Sequence, residues 1–508
     1  MPRKSTLYRV VVPIVAAPLL LAGCTASPAP EEPSPGPVSD ATLRVNFGQF
    51  PENWSPGQEM EGGPLRIPYE TLLIPGNDGT PLPWLATDWT LTADSLTLTL
   101  RDDVTFHDGE KFNAEAVKVN VELVRDGATA YSGPLQVVES VDVVEEFVVR
   151  LNLSSPTPSL PTTLTTRVLP IGSPAAIADG SIAQAPVGTS PWAFDESASV
   201  LGTRLAFLAF EDYWGENPDF GNVELYTITD PEAVAAALVA GEIDVADSEI
   251  RVFSRYEGTS IDTLQYPAIR NNLFFFDRGP GGLFESVELR QAMCTAIDVD
   301  QWVEIDGEGE AATQHFADGE LGYHPDISGY PTDAAAAQAL YATAGSPSIS
   351  AEMVAAPYNA RQIGVYMEQI TSALPGVTVA VTELPPPEYN STWNSGRYPL
   401  GLSSNEELTP FEWYSAWFAA AAPGNPSGVE SDALRSAAQA AIAAGDSPTS
   451  VELWAEVSKI IADEALTCAH LRGVEVLAWN SDTVAGVDAP NEPWEPKSVN
   501  YRDLTPAK

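Results

Sequence analysis

The stretch LRDDVTFHDGEKFNAEAVKVNVE, Leu100 to Glu122, carries the most structural information in this 508-residue chain. Its centre, His107-Asp108-Gly109, is a turn-forming sequence that follows a run of alternating Leu and Thr, and such alternation predicts a half-buried strand. Phe106 and Phe112 flank the turn and are expected to pack beneath it. Asn113 stands where a helix N-cap is favoured, so we predict a strand, a turn and a helix in succession.

Other segments mix strand and helix patterns without regular alternation. Ala41 to Asn46 predicts a strand, and Val137 to Leu153 predicts a hairpin of Val-rich strands. Pro231 to Ala240 and the alanine-rich segment Thr332 to Ala344 predict helices, each followed by Gly. The sequence therefore predicts an α/β protein with mixed sheets.

The N-terminus has the pattern of a segment that is processed on export. Basic residues precede Val10 to Leu21, an uncharged apolar run too short to span a bilayer stably. The run ends in Leu-Ala-Gly-Cys24, which resembles the lipobox of bacterial lipoproteins, where the cysteine is acylated and the chain is cut before it. We expect residues 1–23 to be a signal peptide and residues 24–40 a disordered tether. An ordinary signal peptide with a chance Cys is the alternative.

Size and charge limit the classes of function. The body after the tether is larger than one hydrophobic core usually serves, so at least two lobes are expected. With 25 basic and 70 acidic residues, the chain has a formal charge of −45, which makes nucleic acid and anionic lipid headgroups poor partners. The acidity is spread along the chain, as in a solvated acidic surface.

Cysteine, histidine and motif content argue against metal or catalytic chemistry. Besides Cys24 there are Cys294 and Cys468, which could pair in an oxidising compartment or remain two separate buried thiols. The four histidines show no metal-site spacing, and we find no Gly-x-Ser-x-Gly, His-Glu-x-x-His or Walker motif. We therefore expect neither an enzyme nor a bound cofactor or metal. A hydrolase using a carboxylate pair remains an alternative, with no residues singled out.

Six blocks in a fixed order resemble one family. Besides the stretch quoted first, they are PWLATDW (83–89), PVGTSPWAF (186–194), Tyr213-Trp214-Gly215, ALVAGEIDV (237–245) and FESVELRQAMCTAID (284–298). Together they resemble family 5 extracellular solute-binding proteins, which include oligopeptide-, dipeptide- and nickel-binding proteins.

The resemblance implies a two-lobed, periplasmic-binding-protein-like fold of type II with mixed sheets and an interlobe ligand cleft. In this family the first lobe returns at the C-terminus. The first lobe would comprise residues 41–270 plus 480–508, and the second lobe residues 271–479. Tyr266 to Asp277 would be a strand crossing between them, and the lobes would close on the solute by hinge motion.

The resemblance also suggests polar ligand contacts. Ser404 to Pro410 (SNEELTP) falls where peptide-binding members carry Asp-Tyr-x-Asp-Pro, whose first Asp binds the peptide α-amine. Glu406 replaces that Asp and Thr409 the second one, so Glu406 is either an amine contact or a solvated loop charge. Asp277 falls near an Asn that binds the ligand backbone. Arg270 is a candidate partner for a ligand carboxylate, with a surface ion pair as the alternative.

A second set of candidates is aromatic. Trp413 and Trp417, like Tyr414 and Phe418, are spaced four apart, so they would form two aromatic edges on one helix. Such edges line ligand clefts, although core packing is the more common explanation. Trp54 stands where the family shows Leu-Asp-Pro at the cleft mouth, which makes it a further candidate contact.

These observations predict the substrate-binding lipoprotein of an ABC importer. It would capture an oligopeptide, dipeptide or similar solute, deliver it to a permease and ATPase complex, and act as a monomer anchored by lipid to the outer face of the cytoplasmic membrane. The alternatives are a ligand-sensing lipoprotein and a binder of an oligosaccharide, opine or nickel chelate.

Overall fold

A computed structural model describes residues 39–58, 63–76, 80–127, 133–306, 309–355, 359–385, 388, 392–393, 395–405, 409–445, 447–487 and 500–508, with the backbone alone at 267–272, 306, 404 and 405. The strands are β1 (Thr42–Asn46), β2 (Leu73–Pro75), β3 (Pro81–Pro83), β4 (Ala86–Leu91), β5 (Ser95–Leu100), β6 (Val138–Glu145), β7 (Val148–Leu153), β8 (Trp192–Val200), β9 (Arg204–Ala209), β10 (Asn222–Tyr226), β11 (Val245–Asp247), β12 (Ile261–Phe276), β13 (Glu310–Ala311), β14 (Ile349–Ala355), β15 (Val377–Glu383), β16 (Leu400–Asn405), β17 (Thr467–Asn480), β18 (Val484–Ala485) and β19 (Thr505–Pro506).

The α-helices are α1 (Ala114–Asp126), α2 (Leu160–Thr163), α3 (Pro174–Asp179), α4 (Pro231–Ala240), α5 (Val287–Ala296), α6 (Val299–Asp306), α7 (Ala334–Thr343), α8 (Ala360–Ala373), α9 (Pro410–Trp417), α10 (Asp432–Ala444) and α11 (Thr449–Asp463). The helices predicted at 231–240 and 332–344 are therefore confirmed as α4 and α7. The predicted hairpin is confirmed as β6 and β7.

The largest sheet has 11 strands in the order β15-β14-β16-β12-β17-β11-β1-β10-β9-β8, with β13 added beside β17. It is mixed, because β1 pairs in parallel with β10 and β11 whereas β12 pairs antiparallel with β16 and β17. A separate antiparallel sheet has the order β4-β5-β7-β6. The prediction of an α/β chain with mixed sheets is confirmed.

The stretch quoted first folds as its residues predict. Alternate residues of β5 point into the core, and the turn closes through a bridge between Thr105 and Lys111. Phe106 and Phe112 are fully buried with an edge-to-face contact at 6.3 Å. Asn113 caps α1 because its Oδ1 accepts a hydrogen bond from the Ala116 amide at 3.1 Å. These residues build the core of one lobe.

Buried side chains form separate cores along the large sheet. One set of cores contains residues from β1 to β11 together with the C-terminal Leu504, and we call this part the first lobe. A second set contains residues from α5 to α11 together with Leu273 of β12 and Leu471 of β17, and we call it the second lobe. Within the second lobe, Cys294 and Cys468 form a disulfide across 174 residues of sequence.

A buried carboxylate holds the C-terminal segment to the first lobe. The side chain of Glu70 is 0% exposed and pairs with Arg502 at 2.8 Å. Besides Arg502, it accepts hydrogen bonds from Trp84 Nε1, Thr189 Oγ1, Tyr213 OH and Trp214 Nε1 at 2.7–3.1 Å. A buried charge is tolerated only when it is paired and hydrogen-bonded. The Glu70 carboxylate is therefore stable in the core only when the segments that carry its partners, including the C-terminal one, pack around it.

Candidate functional site

Strands β12 and β17 run from one lobe into the other. Tyr266 packs in a first-lobe core and Leu273, farther along β12, in a second-lobe core. On β17, Leu471 packs in a second-lobe core and Leu477 in a first-lobe core. The pairing of the two strands slips between Pro267 and Asn271, so their ladder is irregular where they cross.

These contacts bear on the limits of the lobes. Along β12, the side chains pass from a first-lobe core at Tyr266 to a second-lobe core at Leu273. Leu477 and Trp479, however, pack in the first-lobe core, and Trp479 pairs with Val245 of β11. We therefore propose that the chain returns to the first lobe between Leu471 and Leu477, upstream of residue 480.

A hydrogen bond joins the two lobes away from the crossover strands. Thr163 Oγ1, at the end of α2, lies 3.1 Å from Glu412 Oε1 in the first turn of α9 and 3.2 Å from the Ser159 carbonyl, so its single proton is shared between the interlobe and a local acceptor. The sequence Thr409-Pro410-Phe411-Glu412 explains the start of α9, because Thr409 Oγ1 accepts from the Glu412 amide and Pro410 needs no amide partner in the first turn. A carboxylate is also favoured near a helix N-terminus. The start of α9 thus presents Glu412 to the first lobe.

Polar side chains gather on the first-lobe side of the crossover. Tyr266 lies directly opposite Glu475 in the β12–β17 ladder, and Asp247 lies opposite Leu477, two residues farther along β17. Because side chains alternate between faces, these residues share one face of the sheet. Arg66 and Tyr501 are close enough to influence the pKa of Tyr266. We call Arg66, Asp247, Tyr266, Glu475 and Tyr501 the crossover cluster.

The crossover cluster combines both charges with an unsatisfied phenol. Tyr266 OH is buried and has no hydrogen-bond partner among the described residues. Burial, and then the negative charges of Asp247 and Glu475, raise the pKa of Tyr266, so the phenol stays protonated and can donate a hydrogen bond. The other four residues each already have an interaction partner. The arrangement places charges of both signs and a donor phenol where the two strands cross between the lobes.

Sequence reasoning missed the crossover cluster. Its five members come from five separate segments of the chain. Only Tyr266, at the start of the predicted crossover strand, and Asp247, two residues after the block ALVAGEIDV, lay in or near a feature that the sequence singled out. Alternation within β12 and within β17 shows which residues of each strand share a face, but only the register of the pair shows that Tyr266 and Glu475 share one and lie opposite each other.

The structure places Trp54 in a first-lobe core and not on a cleft wall. Its side chain is 4% exposed and meets Phe207 edge-on at 6.0 Å. Tyr69 OH donates to the Trp54 carbonyl at 2.9 Å, which fixes the loop from inside. The expectation that Trp54 contacts solute is therefore corrected, because its aromatic surface is already used in packing.

The aromatic residues of α9 are largely core residues as well. Trp413 is buried and stacks on His315 at 4.6 Å with 5° between the ring planes. Tyr414 is buried, and its hydroxyl donates to Glu430. Trp417 is half-buried and stacks on Phe275 at 4.4 Å. Core packing, the alternative raised from the sequence, accounts for Trp413 and Tyr414, and only Trp417 keeps an accessible surface.

The polar candidates fall in different places. Asp277 lies just beyond the second-lobe end of β12, where its Oδ1 accepts from the Gly279 amide in a turn at 3.0 Å, and its contact with a solute stays a prediction. The side chain of Arg270 lies outside the described residues, as do Glu406 and Cys24.

No group of three His, Cys, Asp or Glu side chains in the described parts of the chain is arranged to hold a metal ion. Within the same ranges, no helix has both the length and the apolar character needed to cross a membrane.

Comparison with known proteins identifies the family. The family described as "Bacterial extracellular solute-binding proteins, family 5 Middle" matches residues 80–423. A nickel-binding periplasmic protein of Escherichia coli (strain K12) is 32% identical over 210 residues, which are 40% of this chain and 39% of that protein. The probable D,D-dipeptide-binding periplasmic protein DdpA of the same strain is 24% identical over 405 residues, which cover 75% of this chain and 77% of that protein.

A solved structure shows the same fold. HbpA2 from Haemophilus parasuis matches with a TM-score of 0.81 at 21% identity, covering 92% of this chain and 100% of that chain. The predicted two-lobed fold is thus confirmed, and the relatives are named for binding a solute and not for catalysis. The chain belongs to family 5 of the bacterial extracellular solute-binding proteins.

Proposed function

We propose that this chain is the solute-capturing subunit of an ABC importer, which closes its two lobes on a peptide or peptide-like solute and presents it to a permease and ATPase complex. The observation that carries the proposal is the hydrogen bond from Thr163 to Glu412 between the lobes. Away from the crossover strands, such a bond exists only when the lobes approach each other. A solute that contacts both lobes therefore shifts the protein toward the state in which this bond forms.

Several features support a peptide-like solute. The relative that matches over the larger share of its length is named for a D,D-dipeptide. A peptide carries an amine, a carboxylate and amide groups, and the crossover cluster offers carboxylates, a guanidinium and a phenol. Glu406 remains our proposed contact for the α-amine and Arg270 for the carboxylate, and Trp417 our proposed aromatic contact.

We further propose that the chain is anchored on the outer face of the cytoplasmic membrane through a diacylated Cys24. Two acyl chains give stable attachment where one gives only reversible binding. Expression of the full chain with radiolabelled palmitate should label the protein, and Cys24→Ser should abolish both the label and detergent-phase partitioning. An unlabelled wild-type chain would contradict the anchor without affecting the capture proposal.

The capture proposal is tested by a thermal-shift screen of residues 25–508. Separate pools would contain short peptides, amino-acid derivatives, oligosaccharides and nickel chelates. A solute at about 100 times its Kd adds roughly 2.7 kcal/mol to the free energy of unfolding, which a melting curve detects. Stabilisation by peptides supports the proposal. A shift with oligosaccharides or chelates alone would reject peptides, and no shift with any pool would reject capture of these solutes.

Two variants separate direct contact from closure. Glu406→Gln should abolish binding of peptides with a free amine but spare N-acetylated peptides, if that carboxylate holds the amine. Thr163→Val removes the hydroxyl, and with it both the interlobe bond and the local bond to the Ser159 carbonyl, without a change in size. The local bond lies within one lobe, so loss of the interlobe bond should weaken binding of every solute by about fivefold if that bond is worth about 1 kcal/mol. Equal affinity of Thr163→Val and wild type for a bound solute would contradict the role of this contact in closure.

A further inference from the structure

A small cavity lies inside the second lobe, between α9, α11 and β17. Its volume is about 10 Å³, and its lining includes Trp413, Ser458 and His470. These side chains come from the three different elements, and each residue is at most 9% exposed. The cavity therefore lies where the helix that carries Glu412 packs against a crossover strand.

Three of the residues that line the cavity each have a buried polar atom that lacks a partner among the described residues. Trp413 Nε1, Ser458 Oγ and His470 Nδ1 are buried and make no hydrogen bond to any described residue. A buried polar atom without a partner keeps the full cost of its lost hydration, so such atoms are rare in folded proteins. Three of them around one cavity are explained more simply by a shared partner than by three separate defects.

The chemistry of the three atoms is complementary to water. The indole N–H of Trp413 only donates, whereas the Ser458 hydroxyl both donates and accepts. Burial, and then electrostatic repulsion from His315 and Arg472, lower the pKa of His470 to about 3, so its ring is neutral and its Nδ1 can accept. One water molecule can accept from Trp413, donate to His470 and exchange a hydrogen bond with Ser458.

The size of the cavity agrees with this chemistry. A cavity holds one water when its volume reaches roughly 10–15 Å³ and polar groups supply two to four hydrogen bonds. This cavity meets the lower limit of volume and supplies three groups. An apolar cavity of this size would stay dry, but polar cavities of this kind are usually hydrated.

We propose that a single water molecule is an integral part of the second lobe, bound by Trp413 Nε1, Ser458 Oγ and His470 Nδ1. The water joins α9 and α11 to β17. Glu412, which precedes Trp413, is thereby held in position against the first lobe. This last step rests on the proposed closure function, whereas the water site itself does not.

The site is tested on the full chain without added solute. A crystal structure at about 2 Å or better should show a density peak within hydrogen-bonding distance of all three atoms. Ser458→Ala removes one partner and should retain the peak. Ser458→Val also fills the cavity, so it should remove the peak and leave Trp413 and His470 unpaired.

Melting temperatures provide the second measurement. Ser458→Val should melt at least about 3 °C below Ser458→Ala, because it adds apolar volume but strands two buried polar atoms. An empty cavity in the wild-type density would overturn the proposal. So would a Ser458→Val variant as stable as Ser458→Ala, because filling a dry cavity stabilises. Neither result depends on solute capture, so failure here is distinguishable from failure of the proposed function.

Discussion

Replacing Glu70 by Gln should destabilise the first lobe far more than replacing a carboxylate of an equally short but exposed ion pair. Glu70 is 0% exposed and lies 2.8 Å from Arg502, which is 21% exposed. Gln has the same shape, but it leaves the Arg502 charge without its counter-ion and turns an N–H₂ group toward neighbours that also donate. Breaking a buried pair from one side costs about 3–5 kcal/mol, and we expect the lower end because Arg502 keeps some contact with water.

Asp103→Asn is the matched control. Asp103 lies 2.7 Å from Arg101, but the two side chains are 52% and 28% exposed. Exposed pairs contribute at most about 1 kcal/mol, so this variant should unfold close to wild type. The distances within the two pairs are nearly equal, so the contrast reports the buried pair together with the hydrogen bonds that its burial requires.

Equilibrium unfolding in urea, followed by tryptophan fluorescence, measures the difference. Trp84 and Trp214 both donate to Glu70, so their emission adds a contribution from the lobe that contains the substitution to that of the other tryptophans of the chain. We expect Glu70→Gln to lower the free energy of unfolding of that transition by about 3 kcal/mol, with an unchanged slope against urea. Equal free energies for Glu70→Gln and Asp103→Asn would refute the reasoning that burial decides the value of the pair.

Three further predictions follow from packing, covalent structure and titration. Gly188→Ala should destabilise the first lobe by several kcal/mol, because the new Cβ would lie 1.9 Å from the backbone oxygen of Pro68. Gly364→Ala, in α8 with open space around it, should leave the free energy of unfolding unchanged or raise it by up to about 1 kcal/mol. Melting curves of the two variants measure the difference. Replacing both Cys294 and Cys468 by Ala should lower the free energy of unfolding by about 2–4 kcal/mol. Reductant should then lower the melting temperature of the wild type but not that of the double variant. His470 has a pKa of about 3 in the folded state, so the unfolded chain takes up its proton first as the pH falls below about 6.5. Stability should then fall more steeply with acid in wild type than in His470→Gln, by up to about 1.4 kcal/mol per pH unit, and parallel curves would contradict this pKa.

Local features of the fold could be predicted from the sequence because their causes are local. The Asn113 cap, the alternation of β5 and the proline at the start of α4 act within a few residues of themselves. The ordered blocks were likewise sufficient for the family, since they span most of the chain. In these cases the interacting atoms are close in sequence, so the pattern contains the contact.

The candidate site was much less accessible from the sequence. The spacing of Trp413 and Tyr414 predicts a shared helix but not whether that helix turns them toward a core or a cleft, and the structure buries both. Trp54 was assigned to the cleft by position in a motif, although its ring packs on Phe207. Aromatic residues satisfy either role, so only their neighbours decide.

The sequence by itself determined the α/β class, the family and the elements that start and stop at caps, turns and glycines. Only the tertiary structure decided which distant side chains meet: the disulfide across 174 residues, the pairing of Tyr266 with Glu475 and the bond from Thr163 to Glu412. Periodicity specifies the face on which a side chain lies, whereas register and docking depend on the packing of whole elements against one another. The contacts between the lobes arise from that packing, which no single stretch of the sequence contains.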